Sequence, residues 1–450
     1  MNPNPMPPST RREFLKNTGR IAAGTALATI SLQPVHAAED NTIRLALIGC
    51  GGRGCGAAAD AFSSPNGPVR LIAMADLFEN RLATAYQALS EKYPNQLDVP
   101  QERRFVGFDA WRRAIDCLSA GDVAMLCGYS AWRPQQLEYA VEKGVNVFME
   151  KSFAPDVPGL RRVIKAGEAA EKKNLKIASG LMCRHAASRQ ELIKRIHDGQ
   201  LGEVLLIRGY RMQPVAALPK RPPQENELAW QIRHFTDFLW VSGGWFAEMN
   251  IHQIDEFCWI KDAYPVSAHG VGGRAANSPD CGQTLDSIAV EWTFADGAKA
   301  THVIRWLANC FDDCTTFVHG TKCAAQFPGS AHPGPVSLHK DQRMVNDNIA
   351  WRAKRDEFSA WQAEWNVLLD AIRNNKPHNE AKRAALSNLT DLMGRAAVHS
   401  GKIVTWEEAM ASNFQFCPNI DQLTAESPPP VRANEQGCYP APVPGKWTEL

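Results

Sequence analysis

Three glycines near the start of the chain have the spacing of a dinucleotide-binding turn. Gly49, Gly51 and Gly54 in "LALIGCGGRGCG" fit the pattern G-x-G-x-x-G, between the apolar run 43–48 and the alanine-rich run 57–62. Such glycines let the backbone approach a pyrophosphate, and the amino end of the following helix supplies unpaired N–H groups. The alternative is a plain glycine-rich turn, which predicts no further nucleotide feature along the chain.

A carboxylate follows at the place where a nucleotide ribose is expected. The run "VRLIAMAD" indicates a second buried strand that ends at Asp76. A carboxylate there accepts both ribose hydroxyls and repels a 2'-phosphate, which favours NAD over NADP as the cofactor. Arg81, a few residues further on, keeps NADP as the alternative.

Three further side chains have the chemistry for proton transfer. Lys151 follows the strand predicted in "VNVFMEKS", and the ends of such strands form the ligand crevice of a parallel sheet. Glu248 and His252 are four residues apart and share a helical face, with Asp255 three residues later. A carboxylate that orients an imidazole suits proton transfer near neutral pH. The alternatives are a solvated loop cation for Lys151 and a satisfied core residue for His252.

The elements that must position these groups alternate between strands and helices. After the first two strands, "DVAMLCG" predicts a third, "PQQLEYAVEKG" a helix and "VNVFMEKS" another strand. This alternation predicts a parallel, doubly wound sheet, that is, an α/β Rossmann domain. Later in the chain, "LDSIAVEWTFADGAKATHVIRW" indicates alternating strands around an ADG turn.

Composition limits the class of protein. At 450 residues the chain is too long for a single core, so two domains are expected. Apolar residues make up 44% and charged residues 22%, as in soluble globular proteins. The formal charge of +1 gives no electrostatic basis for binding nucleic acid or an anionic membrane.

The first 38 residues have the pattern of an export signal. The segment "TRREFLK" at 10–16 looks like a twin-arginine motif, followed by an apolar run over 21–32 and a small-residue cleavage site near Ala37. The run is short and rich in Ala, Gly and Thr, which favours cleavage over a stable membrane anchor. We therefore expect a periplasmic or otherwise exported protein whose partner during export is the twin-arginine translocation machinery.

The twelve cysteines do not have a metal-binding pattern. Only Cys310, Cys314 and Cys323 cluster, without a C-x-x-C pair, so no metal site is predicted. A disulfide among these three, or one from Cys417 to Cys438, stays open.

Several segments resemble the Gfo/Idh/MocA oxidoreductases, which bind NAD(P) and act on sugars and cyclitols. "ALIGCGGRG" is similar to the first turn of that family, "EYAVEKGVNVFMEKSFA" to its segment of helix, strand and E-K-P, and "GGWFAEMNIHQIDEFCWI" to its helix with an acid and a histidine. Ser152 stands where the family usually has a proline that is often in a cis bond. The segment "GYSAWRP" keeps only Trp132 of the characteristic residues of that loop.

The resemblance implies a fold and a division of the chain. The Rossmann domain is expected to be followed by an α+β domain with a large, mostly antiparallel open sheet. The expected limits are a signal peptide at 1–38, an NAD-binding domain at 41–165, a substrate-binding domain at 166–420 and an extended, proline-rich tail at 421–450. Because the open sheet of this family often pairs subunits, a homo-oligomer is also expected.

The resemblance also implies roles for individual residues. His252 takes the hydroxyl proton, Glu248 orients it, and Lys151 stabilises the developing alkoxide. Arg184, His252 and Asp255 face the substrate. The residues expected to hold the cofactor are Gly49, Gly51, Gly52, Arg53, Gly54, Asp76, Arg81, Trp132, Glu150 and Lys151.

The export signal narrows the expected chemistry. A protein exported in the folded state carries its NAD along, and outside the cytoplasm no free pool replaces NADH. This favours reactions that return the hydride within one catalytic cycle. The main expectation is an NAD-dependent oxidoreductase acting on a carbinol carbon of a sugar. The alternatives are an NAD-dependent glycoside hydrolase working through a transient 3-keto sugar, and a non-catalytic sugar-binding relative.

Overall fold

The computed structural model describes residues 41–275, 278, 280–329 and 334–450. The export signal predicted at 1–38 lies outside these residues. In the described part of the chain, we find no helix with the length and apolar character needed to cross a membrane.

Within the described residues, the first sheet has six strands, all paired in parallel. They are β1 (Ile43–Ile48), β2 (Val69–Asp76), β3 (Arg104–Val106), β4 (Val123–Leu126), β5 (Asn146–Met149) and β6 (Ile177–Ser179). The strand order β3-β2-β1-β4-β5-β6 changes direction between β1 and β4, so a ligand crevice opens at their carboxyl ends. The predicted doubly wound Rossmann sheet is confirmed.

Helices cover both faces of this sheet. They are α1 (Gly52–Phe62), α2 (Glu79–Lys92), α3 (Ala110–Ile115), α4 (Arg133–Lys143) and α5 (Val157–Lys172). Along β1, Leu45 and Leu47 join the apolar cluster of α1 and α2, whereas Ala46 and Ile48 join that of α3, α4 and α5. Burial on both faces explains why this strand is an almost continuous apolar run.

The second sheet is mostly antiparallel. Its strands are β7 (Val204–Met212), β8 (Ser267–Gly273), β9 (Ser287–Thr293), β10 (Lys299–Arg305), β11 (Thr316–Gly320), β12 (Ala324–Phe327), β13 (Ser337–His339), β14 (Ile349–Arg352) and β15 (Val404–Thr405). The order is β14-β13-β12-β11-β7-β10-β9-β8-β15, and β7 and β10 form the one parallel pair among these described strands. Buried and half-buried residues alternate along β9 and β10, so one face is covered and the other is open, as predicted.

Two long helices, Gly244–Lys261 and Ala381–Ser400, lie on the covered face of the second sheet. The helices after β6 are α6 (Ala187–His197), α7 (Glu227–Arg233), α8 (Leu239–Ser242), α9 (Gly244–Lys261), α10 (Ala360–Arg373), α11 (Ala381–Ser400) and α12 (Trp406–Ala411). Short 3₁₀ turns occur at Gln101–Arg103, Ser130–Trp132, Met182–His185, Phe235–Asp237, Asn346–Asn348 and Ile420–Gln422. Because α11 packs against α9, β8 and α5, it is buried on nearly all sides. It contacts strands of both sheets.

The parallel sheet draws on more of the chain than the predicted first domain. Its last strand, β6, lies beyond residue 165. In addition, α10 returns to this sheet, where Trp365 and Leu368 join the apolar cluster of β1 and α1. The Trp365 ring stacks on Phe148 with 4.5 Å between ring centroids. The core of the first domain therefore includes residues from far along the chain.

The tail after residue 421 contacts the segment that follows β8 through Cys438, whose neighbour is Cys281 and not the Cys417 considered from sequence. The Cys438 Sγ lies 2.8 Å from the Cys281 Sγ, and the Tyr439 N–H donates to the Cys281 carbonyl at 2.9 Å. The Cys417 Sγ instead lies 3.4 Å from the Asn419 Oδ1. The fold thus brings Cys438 to Cys281 and not to Cys417, because two segments distant in sequence run side by side.

Arg395 on α11 ties this tail to both halves of the protein. Its Nε lies 2.7 Å from Glu449 Oε1, while Nη1 and Nη2 donate to the carbonyls of Gly243 at 3.3 Å and Pro155 at 3.0 Å. The His399 Nδ1 lies 3.0 Å from the other Glu449 oxygen. Burial alone would raise the pKa of Glu449, but Arg395 and His399 hold it well below its ordinary value.

We expect Glu449→Gln to lower the free energy of unfolding by about 3 kcal/mol at pH 7, because removing one partner of a buried ion pair leaves the Arg395 charge uncompensated. The folded-state pKa of Glu449 lies below its unfolded value, so its contribution is present above about pH 4.3 and is lost as the pH falls below it. Urea unfolding followed by tryptophan fluorescence at pH 7, 5 and 4 measures this difference.

The matched control is Asp198→Asn, which removes an exposed ion pair with Lys194 within α6. We expect no measurable change there, because exposed pairs of this kind contribute little. A Glu449→Gln stability difference at pH 7 no larger than that of Asp198→Asn would contradict the assigned ion pair.

Candidate active site

The glycine turn lies at the carboxyl end of β1 and starts α1. A Cβ on Gly49, whose φ is 97°, would lie 2.4 Å from the Gly128 nitrogen, and one on Gly54 would lie 2.1 Å from the Gly49 carbonyl oxygen. These two glycines therefore allow close backbone packing. By contrast, a Cβ on Gly51 or Gly52 would have no neighbour within 4 Å. The first turn of α1 thus faces open space with unpaired N–H groups, as an anion site requires.

Asp76 lies on the other side of this turn, at the end of β2. Its Oδ2 accepts the Cys50 N–H at 2.7 Å and its Oδ1 accepts the Phe78 N–H at 2.8 Å. Burial raises the pKa of Asp76, and these hydrogen bonds and Arg81 offset part of the effect. Each carboxylate oxygen keeps acceptor capacity for a hydroxyl group. The residue is therefore placed and equipped to bind a ribose.

A cleft with about 460 Å³ of unoccupied space opens beside Asp76. Its walls include Gly49, Gly128 and Trp132. The Trp132 ring is buried and packs edge-on against Trp240, with 5.8 Å between ring centroids. Trp132 therefore both lines the cleft and holds the segment around α8 against the first domain.

Arg81 is engaged by protein groups at this cleft. Its Nη1 donates to the Tyr129 hydroxyl at 2.5 Å and its Nη2 donates to the Arg233 carbonyl at 3.2 Å. The guanidinium also lies 5.3 Å from the centre of the Phe78 ring. These contacts join α2 to the end of α7. They also use part of the hydrogen-bond donor capacity of the Arg81 guanidinium within the protein.

A buried charge cluster follows β5. The Arg53 Nε lies 3.0 Å from Glu150 Oε1, and its Nη2 lies 2.7 Å from Asp60 Oδ2. Burial raises the pKa of Glu150, while Arg53 and Lys151 oppose the rise. Behind it, on α10, Glu364 is fully buried with neither oxygen hydrogen-bonded to a described residue. Burial and the nearby Glu150 raise the pKa of Glu364 well above its ordinary value.

Lys151 and Glu248 form a direct ion pair between the two halves of the protein. The Lys151 Nζ lies 2.9 Å from Glu248 Oε2 and 2.6 Å from the Glu248 carbonyl oxygen. The Ser152 hydroxyl donates to the Ser242 carbonyl at 3.1 Å and lies 3.4 Å from Glu248 Oε1. The peptide bond between Lys151 and Ser152 is cis. The loop after β5 and helix α9 thus meet at this pair.

His252 lies one turn further along α9 and is buried. Burial lowers its pKa well below the ordinary value, and the positive charges of Lys151 and two buried arginines lower it further. The ring is therefore neutral and can accept a proton. Its Nδ1 is buried without a hydrogen-bond partner among the described residues. The Glu248 carboxylate contacts Lys151 and Ser152 instead, so the expectation that Glu248 orients His252 is not met in this geometry.

Arg184 and Asp255, predicted to face the substrate, face each other. The Arg184 Nε and Nη2 lie 2.8 and 2.9 Å from the two Asp255 oxygens, and the Ser387 hydroxyl donates to Asp255 at 2.6 Å. Burial would raise the pKa of Asp255, but Arg184 and Arg383 hold it below its ordinary value. Three residues leave Asp255 about 60° around α9 from His252, on the side where Ser387 of α11 contacts it. The contact is thus a brace between α9 and its neighbours.

The ten predicted cofactor residues all lie around the carboxyl ends of β1, β2, β4 and β5: Gly49, Gly51, Gly52, Arg53, Gly54, Asp76, Arg81, Trp132, Glu150 and Lys151. Sequence reasoning missed three buried groups beside them. Besides Glu364 these are Arg211 on β7 and Asp391 on α11. Neither oxygen of Asp391 has a hydrogen-bond partner in the described ranges, and burial and then Glu248 raise its pKa well above the ordinary value.

Comparison with known proteins is consistent with this site. Residues 190–326 match the GFO/IDH/MocA C-terminal domain. Inositol 2-dehydrogenase of Rhizobium meliloti (strain 1021) is 26% identical over 302 residues, which cover 66% of this chain and 78% of that protein.

Two solved structures share the fold. Aldose-aldose oxidoreductase from Caulobacter crescentus, complexed with glycerol, has a TM-score of 0.62 and 18% identity, covering 81% of this chain and 99% of that one. Scyllo-inositol dehydrogenase from Lactobacillus casei, with bound NAD(H) and scyllo-inositol, has a TM-score of 0.60 and 22% identity, covering 81% and 99%. The chain is thus similar to proteins that carry this C-terminal domain, and it shares its two-sheet fold with both structures.

Proposed function

We propose that the protein is an NAD-dependent oxidoreductase that moves a hydride between the nicotinamide and a carbinol carbon of a sugar or cyclitol. The observation that carries this proposal is the Lys151–Glu248 ion pair beside the neutral His252, at the strand ends where the open glycine turn lies. The inositol 2-dehydrogenase relative supports the reaction class.

The residues present fit a dinucleotide. The open first turn of α1 at Gly51 and Gly52 would hold the pyrophosphate, and Asp76 would accept the ribose hydroxyls. The Asp76 carboxylate also favours NAD over NADP, because it repels a 2'-phosphate. The similar structure of scyllo-inositol dehydrogenase, which contains NAD(H), also supports NAD as the cofactor. When bound, the nicotinamide supplies the hydride acceptor and donor.

The side chains of this chain then handle the proton. Because the Nδ1 of His252 is buried, its Nε2 is the nitrogen that takes the proton of the substrate hydroxyl. The Lys151 ammonium stabilises the developing alkoxide oxygen. Glu248 holds the Lys151 Nζ in position through its carboxylate and its backbone carbonyl. In reduction of a ketone, His252 returns the proton to the same oxygen.

The export pattern at 10–16 supports a closed redox cycle. An exported protein with enclosed NAD must return each hydride, as in coupled oxidation and reduction of two sugars, and the similar fold named aldose-aldose oxidoreductase supports this reading. The same pattern favours a second candidate, a glycoside hydrolase that works through a transient 3-keto sugar. A periplasmic or otherwise exported location and a homo-oligomer built on the open sheet face belong to the proposal. The contact between Lys151 and Glu248 speaks against a non-catalytic sugar-binding relative.

We expect Lys151→Met and His252→Asn to lower turnover by roughly 10²- to 10⁴-fold while changing substrate affinity little, because each removes a group that acts on the transferring proton or the alkoxide. Stopped-flow absorbance of the nicotinamide after adding inositols, aldoses or glycosides measures turnover, and analysis of nucleotide released on denaturation identifies NAD or NADP. Asp198→Asn, at an exposed ion pair, is the control. Near-parental rates in both variants, with a substrate that the parent accepts, would refute the proposed roles.

We expect His252 to stay neutral through the physiological pH range. Burial and nearby positive charges lower its pKa, so its ring signal in NMR should show no titration between pH 5.5 and 8. Removing the Lys151 charge should raise that pKa, so Lys151→Met should move the titration upward. His252→Asn assigns the signal. A parental midpoint near 6.5, the ordinary value for histidine, contradicts the assignment of a buried neutral base.

A further inference from the structure

Arg211 on β7 is a buried arginine with two guanidinium nitrogens that have no hydrogen-bond partner among the described residues. Its residue is 2% exposed, and its Nε and Nη1 have no hydrogen bond to any residue that the structure describes. Burial lowers the pKa of its guanidinium. The groups that offset part of this effect are the thiols of Cys314 and Cys183, and no described carboxylate does so. The internal segments outside the described ranges, 276–277, 279 and 330–333, contain no Asp or Glu.

The other arginines buried to this degree all have partners. Arg133 donates to the carbonyls of Ser152 and two other residues, Arg189 pairs with Glu256, and Arg395 pairs with Glu449. A buried charge without compensation costs several kcal/mol, and proteins therefore pair buried charges. Arg211 differs from these three arginines, because the described residues give its guanidinium neither a carboxylate nor a carbonyl partner. Its missing partner is therefore expected to come from a ligand.

Arg211 lies close to the proposed proton-transfer group. On α9, Gln253 donates to the Tyr210 carbonyl at 2.9 Å, so β7 and α9 meet at Tyr210 and Gln253, the residues next to Arg211 and His252 in the sequence. Arg211 is also one of the positive charges that act on the His252 ring.

The charges around His252 do not cancel. Lys151 is balanced by Glu248 and Arg189 by Glu256, whereas Arg211 has no acidic partner among the described residues. Asp391 does not pair with it, because neither Asp391 oxygen is hydrogen-bonded to a polar group of the described residues, and burial also raises the pKa of that carboxyl. The site therefore keeps one net positive charge close to the proton-transfer group.

We propose that Arg211 binds an anionic substituent of the substrate, so that the preferred substrate is a sugar or cyclitol carrying a carboxylate, phosphate or sulfate group. This inference rests on the proposed function and narrows its substrate class. A guanidinium can make two parallel hydrogen bonds to such a group, which fixes its orientation as well as its charge. Neutral inositols and aldoses leave the Arg211 charge uncompensated.

Matched substrate pairs test the proposal. We compare glucose with glucuronate, glucose 6-phosphate and glucose 6-sulfate, and inositol with inositol monophosphate, by nicotinamide absorbance in the parental holoenzyme. We expect at least a tenfold higher kcat/KM for one anionic member over its neutral counterpart, and the three glucose derivatives distinguish the anionic groups. Arg211→Gln should remove this preference by raising KM for the anionic substrate roughly 10- to 100-fold, as expected for loss of a charge-assisted hydrogen bond.

Arg208→Gln is the matched control, because Arg208 points to the open face of the same strand, where it donates to the Tyr210 hydroxyl at 3.1 Å. We expect the parental preference in that variant. If Arg211→Gln does not fold, Arg211→Lys keeps the charge without the two-pronged geometry and should show a smaller rise in KM.

Three results would overturn the inference. One is turnover of neutral sugars with no gain from any anionic group, which leaves the proposed function intact. Another is an equal fall of kcat for neutral and anionic substrates in Arg211→Gln, which would assign Arg211 to the alkoxide. The third is that no sugar of either kind changes the cofactor spectrum, which rejects the proposed function itself.

A second inference rests on an independent contact, that of Cys281 with Cys438. Their sulfur atoms lie 2.8 Å apart, and the backbones of residues 281 and 439 are hydrogen-bonded. The Gln283 side chain also donates to the Pro440 carbonyl at 3.3 Å. Burial and the neighbouring Cys438 raise the pKa of Cys281 to about 11.

We infer that Cys281 and Cys438 become a disulfide when the protein meets a disulfide oxidant of an oxidising compartment. The Cys438 thiolate attacks the oxidant and releases one thiol, and the Cys281 thiolate then displaces the second. The two cysteines lose two electrons and two protons, and the oxidant's disulfide gains them as two thiols. The bond would fix the tail to the region that follows β8.

Peptide mapping without reduction tests this bond. In protein recovered from the periplasm, or treated with oxidised glutathione, we expect the peptides containing Cys281 and Cys438 to be joined and to lose two hydrogens relative to the reduced pair. Cys438→Ser should abolish the joined peptide, while Cys310→Ser, at an exposed cysteine, should retain it. Recovery of both peptides as alkylated thiols after oxidation would overturn the inference.

Discussion

The ion pair between Lys151 and Glu248 is the contact on which the site depends, because it joins the loop after β5 to helix α9. Neither residue could hold this position alone, since each comes from a different half of the protein. Arg395 supports the pair from behind by binding the carbonyls of Pro155, after the loop, and Gly243, before the helix. Because the same arginine is neutralised by Glu449, the tail contributes to the placement of Lys151 and Glu248.

Burial has opposite consequences for the acids and bases of this region. Burial raises the pKa of Glu364 and of Asp391 well above their ordinary values, which favours the neutral acids. Burial lowers the pKa of His252, which favours the neutral ring. An arginine keeps its charge when it is buried, so a contact such as that of Arg395 with Glu449 matters for the charge balance of this region.

Local patterns predicted much of the fold and the cofactor side of the site. The spacing of Gly49, Gly51 and Gly54, the apolar strands and Asp76 at a strand end all depend on short stretches of sequence. Lys151 and Glu248 were each identified from their own segments, but their direct contact was not predicted. The return of α10 to the first sheet was not predictable, because its apolar face fits any core.

The substrate side was harder to predict for a physical reason. Spacing along α9 gives the angle of Asp255 but not its partner, and only the tertiary structure shows that Arg184 neutralises it. One sequence feature of Arg211 is informative. Arg211 lies on the same buried face of β7 as Ile207 and Gly209. A charged residue at a core position is unusual enough to be noticed once the face of the strand is known. Glu364 and Asp391 lie on helices whose buried faces could not be assigned from sequence.

The contribution of α10 to the parallel sheet sets an order for biosynthesis. The amino-terminal strands are translated first, yet the apolar layer that covers them lacks Trp365 and Leu368 until residues 360–373 have left the ribosome. A nascent chain that ends before α10 therefore leaves this apolar layer of the first sheet incomplete.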